Sequence, residues 1–256
     1  MEDLKNELQF PHLERAPITE AIIDIKVELP ADFQLSAFDA IIEANKSDYP
    51  IKKERLFVSG EFVLIPSESG TEPSPVKREL LGYWLYSADG KEIVQIRKDG
   101  FTFNRLSLYT SWDEIFVKAI KLWAMYVHAA GSGTVTRIAV RYINKLQLPV
   151  EGLVWQDYLK ASPPRPPGLP NEIGRFFTNV WTIDSENDII ISITQTIDPD
   201  GNNSKSLAFI LDIEVFKEFT RDLTDETIFP QFELMRIWKN KAFFGSLTQK
   251  AIDIYL

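Results

Sequence analysis

Cysteine is absent from these 256 residues. That one absence excludes disulfide scaffolds, thiolate zinc sites, iron–sulfur clusters and Cys nucleophiles together, and it fits a reducing compartment. Histidine is nearly absent too. His12 and His128 stand far apart with no ligand pattern around either, whereas a metal site needs about three or four converging ligands. His128 closes an amphipathic stretch and is explained by the preference of a helix C-terminus for positive charge. The expectation is no metal and no cofactor. Gly-x-Ser-x-Gly, Walker A and Gly-x-Gly-x-x-Gly are also missing, which leaves nucleophile-elbow and P-loop chemistry without support. Gly131-Ser132-Gly133 is too short to cradle a phosphate and reads as a hinge. No stretch approaches the ~18 uninterrupted apolar residues of a membrane span. Met1-Glu2-Asp3-Leu4-Lys5-Asn6-Glu7 has neither the basic start nor the apolar centre of a secretory signal. A cytoplasmic protein with no membrane contact is expected. Positive charge is in deficit as well: 28 Lys and Arg face 37 Asp and Glu, a net −9, and both halves of the chain are acidic. Polyanion binding draws its affinity from Lys and Arg, so the balance argues against nucleic acid as the partner.

Present in ordinary proportion are hydrophobic residues, 45%, and charged ones, 25%, the composition of a globular protein. The length allows one large domain or two of about 130 residues. Residues 1–16 are polar and read as frayed or draped over the surface. Glu20–Leu29 then alternates, with Ile23, Ile25 and Val27 on one side and Asp24, Lys26 and Glu28 on the other. That is the period of a half-buried strand. Asp32–Lys46 has helical spacing with Asp32 as its cap. Strands follow at 55–65, 80–86, 92–98 and 101–106, with a loop over 66–77. Ala88-Asp89-Gly90 and Asp99-Gly100 supply hairpin turns. Trp112–His128 is the strongest helix, with Trp112, Ile115, Phe116, Ala119, Ile120, Trp123 and Val127 in one stripe, Ser111 as cap and Gly131 as stop.

The pattern then begins again. Val135–Leu148 is a long strand with Ile138, Val140 and Tyr142 opposite Arg137, Arg141 and Lys145. A short helix at 155–160, a proline-rich connector at 162–170 and strands at 176–183, 189–197 and 206–216 follow. A helix over 230–243 ends at Gly245, and Ser246-Leu247-Thr248-Gln249 resembles a capping box opening a last helix. The order predicts an α+β fold: a large antiparallel sheet with helices on one face, in two β-α-β(3–4)-α pseudo-repeats, a TBP-like arrangement. The units are 1–131 and 132–256, and they are compatible with one continuous sheet. Ile23, Ile25, Ile138, Val140 and Tyr142 are expected under the Trp112–Val127 stripe. Asp24, Lys26, Arg137, Arg141, Asp212 and Glu214 are expected on the uncovered face.

Several local motifs have simpler readings than chemistry. Asp184-Ser185-Glu186-Asn187-Asp188 spaces three carboxylates at alternate positions, but between strands it reads as a turn. Asp198-Pro199-Asp200-Gly201-Asn202-Asn203 resembles a calcium loop, yet its glycine is misplaced and Phe209 stands where a Glu is required. Ser74-Pro75-Val76-Lys77 matches Ser-x-x-Lys without the helix that motif opens. Pro163-Pro164-Arg165-Pro166-Pro167 is a stiff connector or a groove ligand. Arg236, Lys239, Lys241 and Lys250 near Trp238 make the C-terminal region locally basic, as charges matched to helix ends or as a nucleic-acid contact.

Four segments carry a resemblance: Arg15-Ala16-Pro17-Ile18-Thr19-Glu20-Ala21; Asp99-Gly100-Phe101-Thr102-Phe103-Asn104-Arg105-Leu106 on through Tyr109 to Trp112; the RIAVRYIN of 137–144; and Ala242-Phe243-Phe244-Gly245-Ser246-Leu247-Thr248. Together they resemble a sporadically distributed, functionally uncharacterised bacterial family of similar length. The resemblance implies a bacterial or phage-associated soluble protein and carries no activity and no site residues. The leading functional expectation is a non-enzymatic binding or regulatory module. Its partner would be a protein or a small anionic ligand met on the uncovered face, and a homodimer is compatible with it. Arg97, Arg105, Arg137 and Arg141 are the candidate ligand-binding groups, because guanidinium forks suit carboxylate and phosphate; for Arg105 the helix-covered face is the alternative, which strand parity alone leaves open. The rivals are a hydrolase or transferase whose carboxylates converge only in three dimensions, and a nucleic-acid-linked regulator. The plainer reading of the same face is a solvated surface with cross-strand ion pairs.

Overall fold

Among the described residues, nine antiparallel strands form one continuous sheet, and the first of them in sequence lies at its centre. The computed structural model describes residues 10–59, 77–106, 109–161, 163–170, 172–201 and 205–256. In chain order the strands are β1 (Ile18–Glu28), β2 (Ile51–Ser59), β3 (Lys77–Tyr86), β4 (Glu92–Arg97), β5 (Gly100–Leu106), β6 (Thr134–Pro149), β7 (Phe177–Asp184), β8 (Ile189–Ile197) and β9 (Ser206–Asp222). Their order across the sheet is β2-β3-β4-β5-β1-β6-β9-β8-β7. The helices are α1 (Asp39–Ala44), α2 (Trp112–Ala130), α3 (Trp155–Tyr158), α4 (Phe229–Ser246) and α5 (Gln249–Ile252). Among the described residues no helix is long and apolar enough to cross a membrane.

Alternation along each strand decides what is covered. In β1 the register sets Ile23 opposite Phe103 and Val140, and Ile25 opposite Phe101 and Ile138. All six side chains are buried. Asp24, between them, faces the other way beside Thr102 and Ala139. Two helices share the covered side. Under α2, Phe101 packs against Trp123 and Tyr126, with ring centroids 5.9 and 6.1 Å apart. On the other half, α4 packs over β6, β8 and β9. The helices are tied together by Trp112 Nε1, which donates to Glu233 Oε1 at 2.6 Å, and by Phe116 against Phe232.

Several expectations shift. The stripe on α2 is rotated. Leu122, Tyr126 and Ala130 are buried, whereas Phe116, Ile120 and Val127 are only half-buried. Tyr142 is roofed by α4 and Tyr109 rather than by α2. The helix expected over 32–46 is a 3-10 turn, Leu35–Phe38, followed by the six-residue α1. Asp32 does not cap it, because the chain turns first: Phe33 N–H donates to Pro30 O and Asp32 O accepts from Gln34 Nε2. Gly245 does not stop α4, which runs on while Phe243 and Phe244 pack, Phe244 on Phe10 at 4.9 Å. Ser246 spends its hydroxyl on Ala242 O, so Thr248 caps α5 by accepting from Ala251 N–H. β9 continues past the expected end to Asp222, and β2 starts earlier than expected, at Ile51. The expected strand residues 60–65, residues 66–76 of the expected loop with Ser74 of the Ser-x-x-Lys motif, and residues 1–9 lie outside the described residues, whereas Lys77 already opens β3. The caps read at Ser111 and Gly131 are present. Ser111 Oγ accepts from Glu114 N–H, and Gly131 takes φ 72° as its N–H closes onto Val127 O.

Candidate functional site

The uncovered face is a shallow concavity of about 570 Å³, to which seven of the nine strands contribute side chains. On its floor lies a buried guanidinium, that of Arg97, 6% exposed. The β4–β5 hairpin explains its setting. A two-residue turn, Lys98-Asp99, sets Arg97 opposite Gly100. It leaves the Asp99 carboxylate 2.9 Å from Arg97 Nε. Gly100 is required there, since its φ is 151° and a Cβ would lie 2.4 Å from the carbonyl oxygen of Ile25. Arg97 Nη1 donates to Gln95 Oε1 at 2.9 Å and to Thr102 Oγ1 at 2.6 Å, and Nη2 donates to Asp24 Oδ1 at 3.3 Å. Thr102 Oγ1 in turn donates to Asp24 at 2.6 Å. From beneath the sheet, the buried Tyr126 hydroxyl donates to the Arg97 carbonyl at 2.8 Å, and its burial pushes the phenol pKa upward.

Next to this floor, Arg137 bridges Glu214 at 2.8 Å and Asp24 at 3.7 Å. Its guanidinium lies 4.2 Å over the Phe216 ring. Trp181, projecting from β7, meets Phe216 edge-on at 5.6 Å, so cation, buried ring and exposed ring form one wall. Arg141 grips Asp212 with two bonds, Nε to Oδ1 at 2.9 Å and Nη2 to Oδ2 at 2.6 Å. That grip raises the Arg141 pKa. Nη1 has no bonded partner among the described residues. Arg141, Asp212 and Trp181 line a smaller concavity of about 260 Å³ with Asn179, Ser192, Thr194 and Glu214. Asn179 Nδ2 is held by Ser192 Oγ at 3.0 Å and Thr194 Oγ1 at 2.7 Å.

Three of the four candidate arginines, Arg97, Arg137 and Arg141, come together on this face. Arg105 does not join them. It shares the parity of Phe101 and Phe103, so it points to the helix-covered side. There Glu92 accepts from Arg105 at 2.8 Å, Lys118 at 2.6 Å and Tyr49 at 2.8 Å. Sequence reasoning missed Trp181, Phe216, Gln95 and Thr102. Parity could have put Gln95 with Arg97 and Thr102 opposite Phe103. The side Trp181 takes depends on its pairing with Ser192 in β8, which is not written in either strand alone.

The other motifs resolve into local structure. Asp184 accepts from Asn187, from the Glu186 N–H and from Trp238 Nε1 at 2.9 Å. Burial pulls its pKa upward, but these hydrogen bonds outweigh it and hold the carboxyl below its usual range. Asp198 accepts Lys145 Nζ at 2.8 Å, which lowers its pKa; Asn202 and Asn203 lie outside the described residues. The basic C-terminal residues disperse. Lys250 pairs with Asp157 at 2.7 Å, Arg236 with Glu233 at 3.4 Å, and Lys241 lies over Trp238. Among the described residues no three His, Asp or Glu side chains gather in a way that could hold a metal ion.

Lys239, part of whose surface reaches solvent, sets its ammonium 4.0 Å over the Tyr142 ring. Burial, with the Arg236 charge adding, pushes its pKa down to about 7 from an ordinary 10.5. Across that interval the unfolded chain binds a proton that the folded chain has released. Stability should therefore rise from about pH 7 toward about pH 10. Lys239→Met should raise the melting midpoint at neutral pH and flatten this rise. Calorimetry at neutral and at alkaline pH checks it, and an unchanged slope refutes it.

No family model and no curated protein matches the chain.

Proposed function

We propose that the chain is a non-enzymatic binding or regulatory module. It takes a carboxylate- or phosphate-bearing ligand, either a small molecule or a segment of a protein, at the Arg141–Trp181 end of the uncovered face. The observation that carries this reading is the pairing of a guanidinium held rigid by Asp212 with a spare Nη1 and an indole 59% exposed in one concavity. A planar anion would stack on Trp181 and accept from Arg141. The hydroxyls of Ser192 and Thr194 would set its orientation. Arg97 shapes the floor instead, since its Nε, Nη1 and Nη2 all donate within the sheet, and Arg137 is turned onto Glu214, Asp24 and the Phe216 ring. The breadth of the face favours recognition over catalysis. Three of its carboxylates are matched to guanidiniums, Asp24 to Arg97 and Arg137, Glu214 to Arg137 and Asp212 to Arg141, whereas acid–base chemistry calls for a carboxyl pair left free to exchange protons.

The same reading takes 1–131 and 132–256 as copies of one β-α-β(3–4)-α unit in the TBP-like manner. The mirrored strand order about the β1–β6 pair, 2-3-4-5-1 against 6-9-8-7, supports it. It also places the chain in the cytoplasm and in the sporadically distributed bacterial family that its four segments resemble.

A library of aromatic carboxylates and phosphates, titrated while amide and side-chain N–H signals are followed by NMR, tests the site. Hits should move the Trp181 Nε1–H and Arg141 Nε–H signals. Trp181→Ala and Arg141→Ala should each weaken them by about tenfold or more, the scale of one charge-assisted bond. Hits that map to the helix side, or that survive both substitutions, would sink the proposal.

A further inference from the structure

The two edges of the sheet are built differently. On β2, Lys52, Lys53, Glu54 and Arg55 place four consecutive charges along the strand, and a bulge between Arg55 and Leu56 breaks its ladder ahead of the exposed Leu56, Phe57 and Val58. Charges of this kind are how edge strands avoid pairing with other chains. On β7 there is no charge and no proline from Phe177 through Ile183, and the pairing with β8 runs without a bulge. Among the described residues β8 is its only hydrogen-bonded neighbour, which leaves a row of amides and carbonyls facing outward. The side chains are as bare as the backbone: Phe177 is 71% exposed, Val180 54%, Trp181 59% and Ile183 66%.

We propose that β7 is the interface of a homodimer, in which the β7 strands of two copies pair antiparallel about a twofold axis at Val180 and extend one sheet through both. Residues directly opposite in an antiparallel ladder share a face, so the axis must fall on a residue, and Val180 is the one that matches like with like. It sets Phe177 against Ile183 of the partner subunit, Thr178 against the partner's Thr182, and Val180 against its own copy. Aromatic–aliphatic and Thr–Thr pairs are the stabilising cross-strand combinations. An axis at Trp181 would instead set Asn179 against the partner's Ile183 and Thr178 against the partner's Asp184. That carboxylate is already committed to Asn187 and Trp238.

The area is that of a small interface. With whole aromatic side chains at ~150–250 Å², and leaving out the Trp181 indole that faces the concavity, Phe177, Val180 and Ile183 present roughly 300 Å² of apolar surface per copy. Two copies then cover roughly 600 Å² of side chain, to which the ladder adds main-chain surface, at the small end of specific interfaces. The dimer also bears on the face described above. Asn179 and Trp181 lie on its side of β7, and the Val180 axis brings the partner's Trp181 beside Asn179, so the two concavities run together.

Sedimentation of the full chain at micromolar concentration should give twice the mass of one chain. Val180 points to the rear of the sheet, opposite Ile193, so Val180→Lys brings two ammoniums together without touching the concavity. It should sediment as a monomer with an unchanged circular dichroism spectrum. The absence of native cysteine allows a second reading independent of that variant's folding. Val180→Cys should oxidise to a covalent dimer, and Leu56→Cys on β2 should not. A monomeric wild type overturns the proposal, including one that instead pairs β7 with a strand of another protein. So does a dimer that survives Val180→Lys, or cross-linking through Leu56→Cys in place of Val180→Cys. Ligand titration of the Arg141–Trp181 site on a monomeric Val180→Lys variant separates failure of the dimer from failure of the binding reading.

Discussion

Asp24→Ala is expected to destabilise the protein by about 3 kcal/mol, the scale of stranding a buried charge. Asp24 sits in the central strand. It accepts from Arg97 and Thr102, and Arg137 lies 3.7 Å away. Arg97 keeps only 7% of its side-chain surface in solvent, whereas its remaining carboxylate partner, Asp99, keeps 66%. Removing Asp24 therefore leaves a guanidinium in a poorly hydrated place with one well-hydrated counter-charge. Removing both members should cost far less, because an apolar pair of similar volume avoids the desolvation that the ion pair has to offset. Urea unfolding of Asp24→Ala, Arg97→Met and Asp24→Leu with Arg97→Met measures the difference. If the double replacement loses as much as Asp24→Ala, the floor is held by packing and not by this charge pair.

Trp123→Ala should cost about 3–5 kcal/mol, the range for truncating a buried large aromatic. Trp123 is 2% exposed. It stacks on Tyr126 at 5.2 Å and packs on Phe101 at 5.9 Å, and Tyr126 stacks on Phe38 at 4.9 Å. The cavity would open at the contact of α2 with β5, among the rings of Phe101 and Tyr126. Trp181→Ala deletes the same atoms from the opposite side of the sheet and should cost less than about 1 kcal/mol, since most of that ring is already in water. Denaturation midpoints of the two variants compare one chemistry in two environments. Similar losses would mean that the uncovered face is as tightly packed as the roofed one.

How much of this was written in the chain depends on whether a feature is local. The two sides of β1 are legible in Ile23, Asp24, Ile25 and Lys26, because alternation needs only neighbours. So are the caps at Ser111 and Gly131. The position of Arg105 was legible in principle: Phe101 and Phe103 have its parity and are plainly apolar. The buried role of Tyr126 was hidden by its polar hydroxyl, which is satisfied only by the carbonyl of Arg97, on a strand closed by a separate hairpin. The wall formed by Arg137, Phe216 and Trp181 was not legible at all. It joins three strands, β6, β9 and β7, whose relative register is set by β6 pairing with β9, β9 with β8 and β8 with β7, a result of the assembled sheet. The tail of β9 was missed for the same reason: Glu218 and Arg221 have no strand-like pattern of their own and are held by pairing with Arg137 and Val135.

The place of β1 in the sheet has a consequence for how the molecule is made. β1 leaves the ribosome before both of the strands it needs as neighbours. Ile23 pairs with Phe103 on one side and with Val140 on the other. Until both have been synthesised, its apolar side has no roof and its backbone no complete ladder. Such distant pairings close large loops before they return any contact energy, which slows folding. The nascent first half thus carries an unfinished oily edge for much of translation, and chaperone dependence would concentrate there.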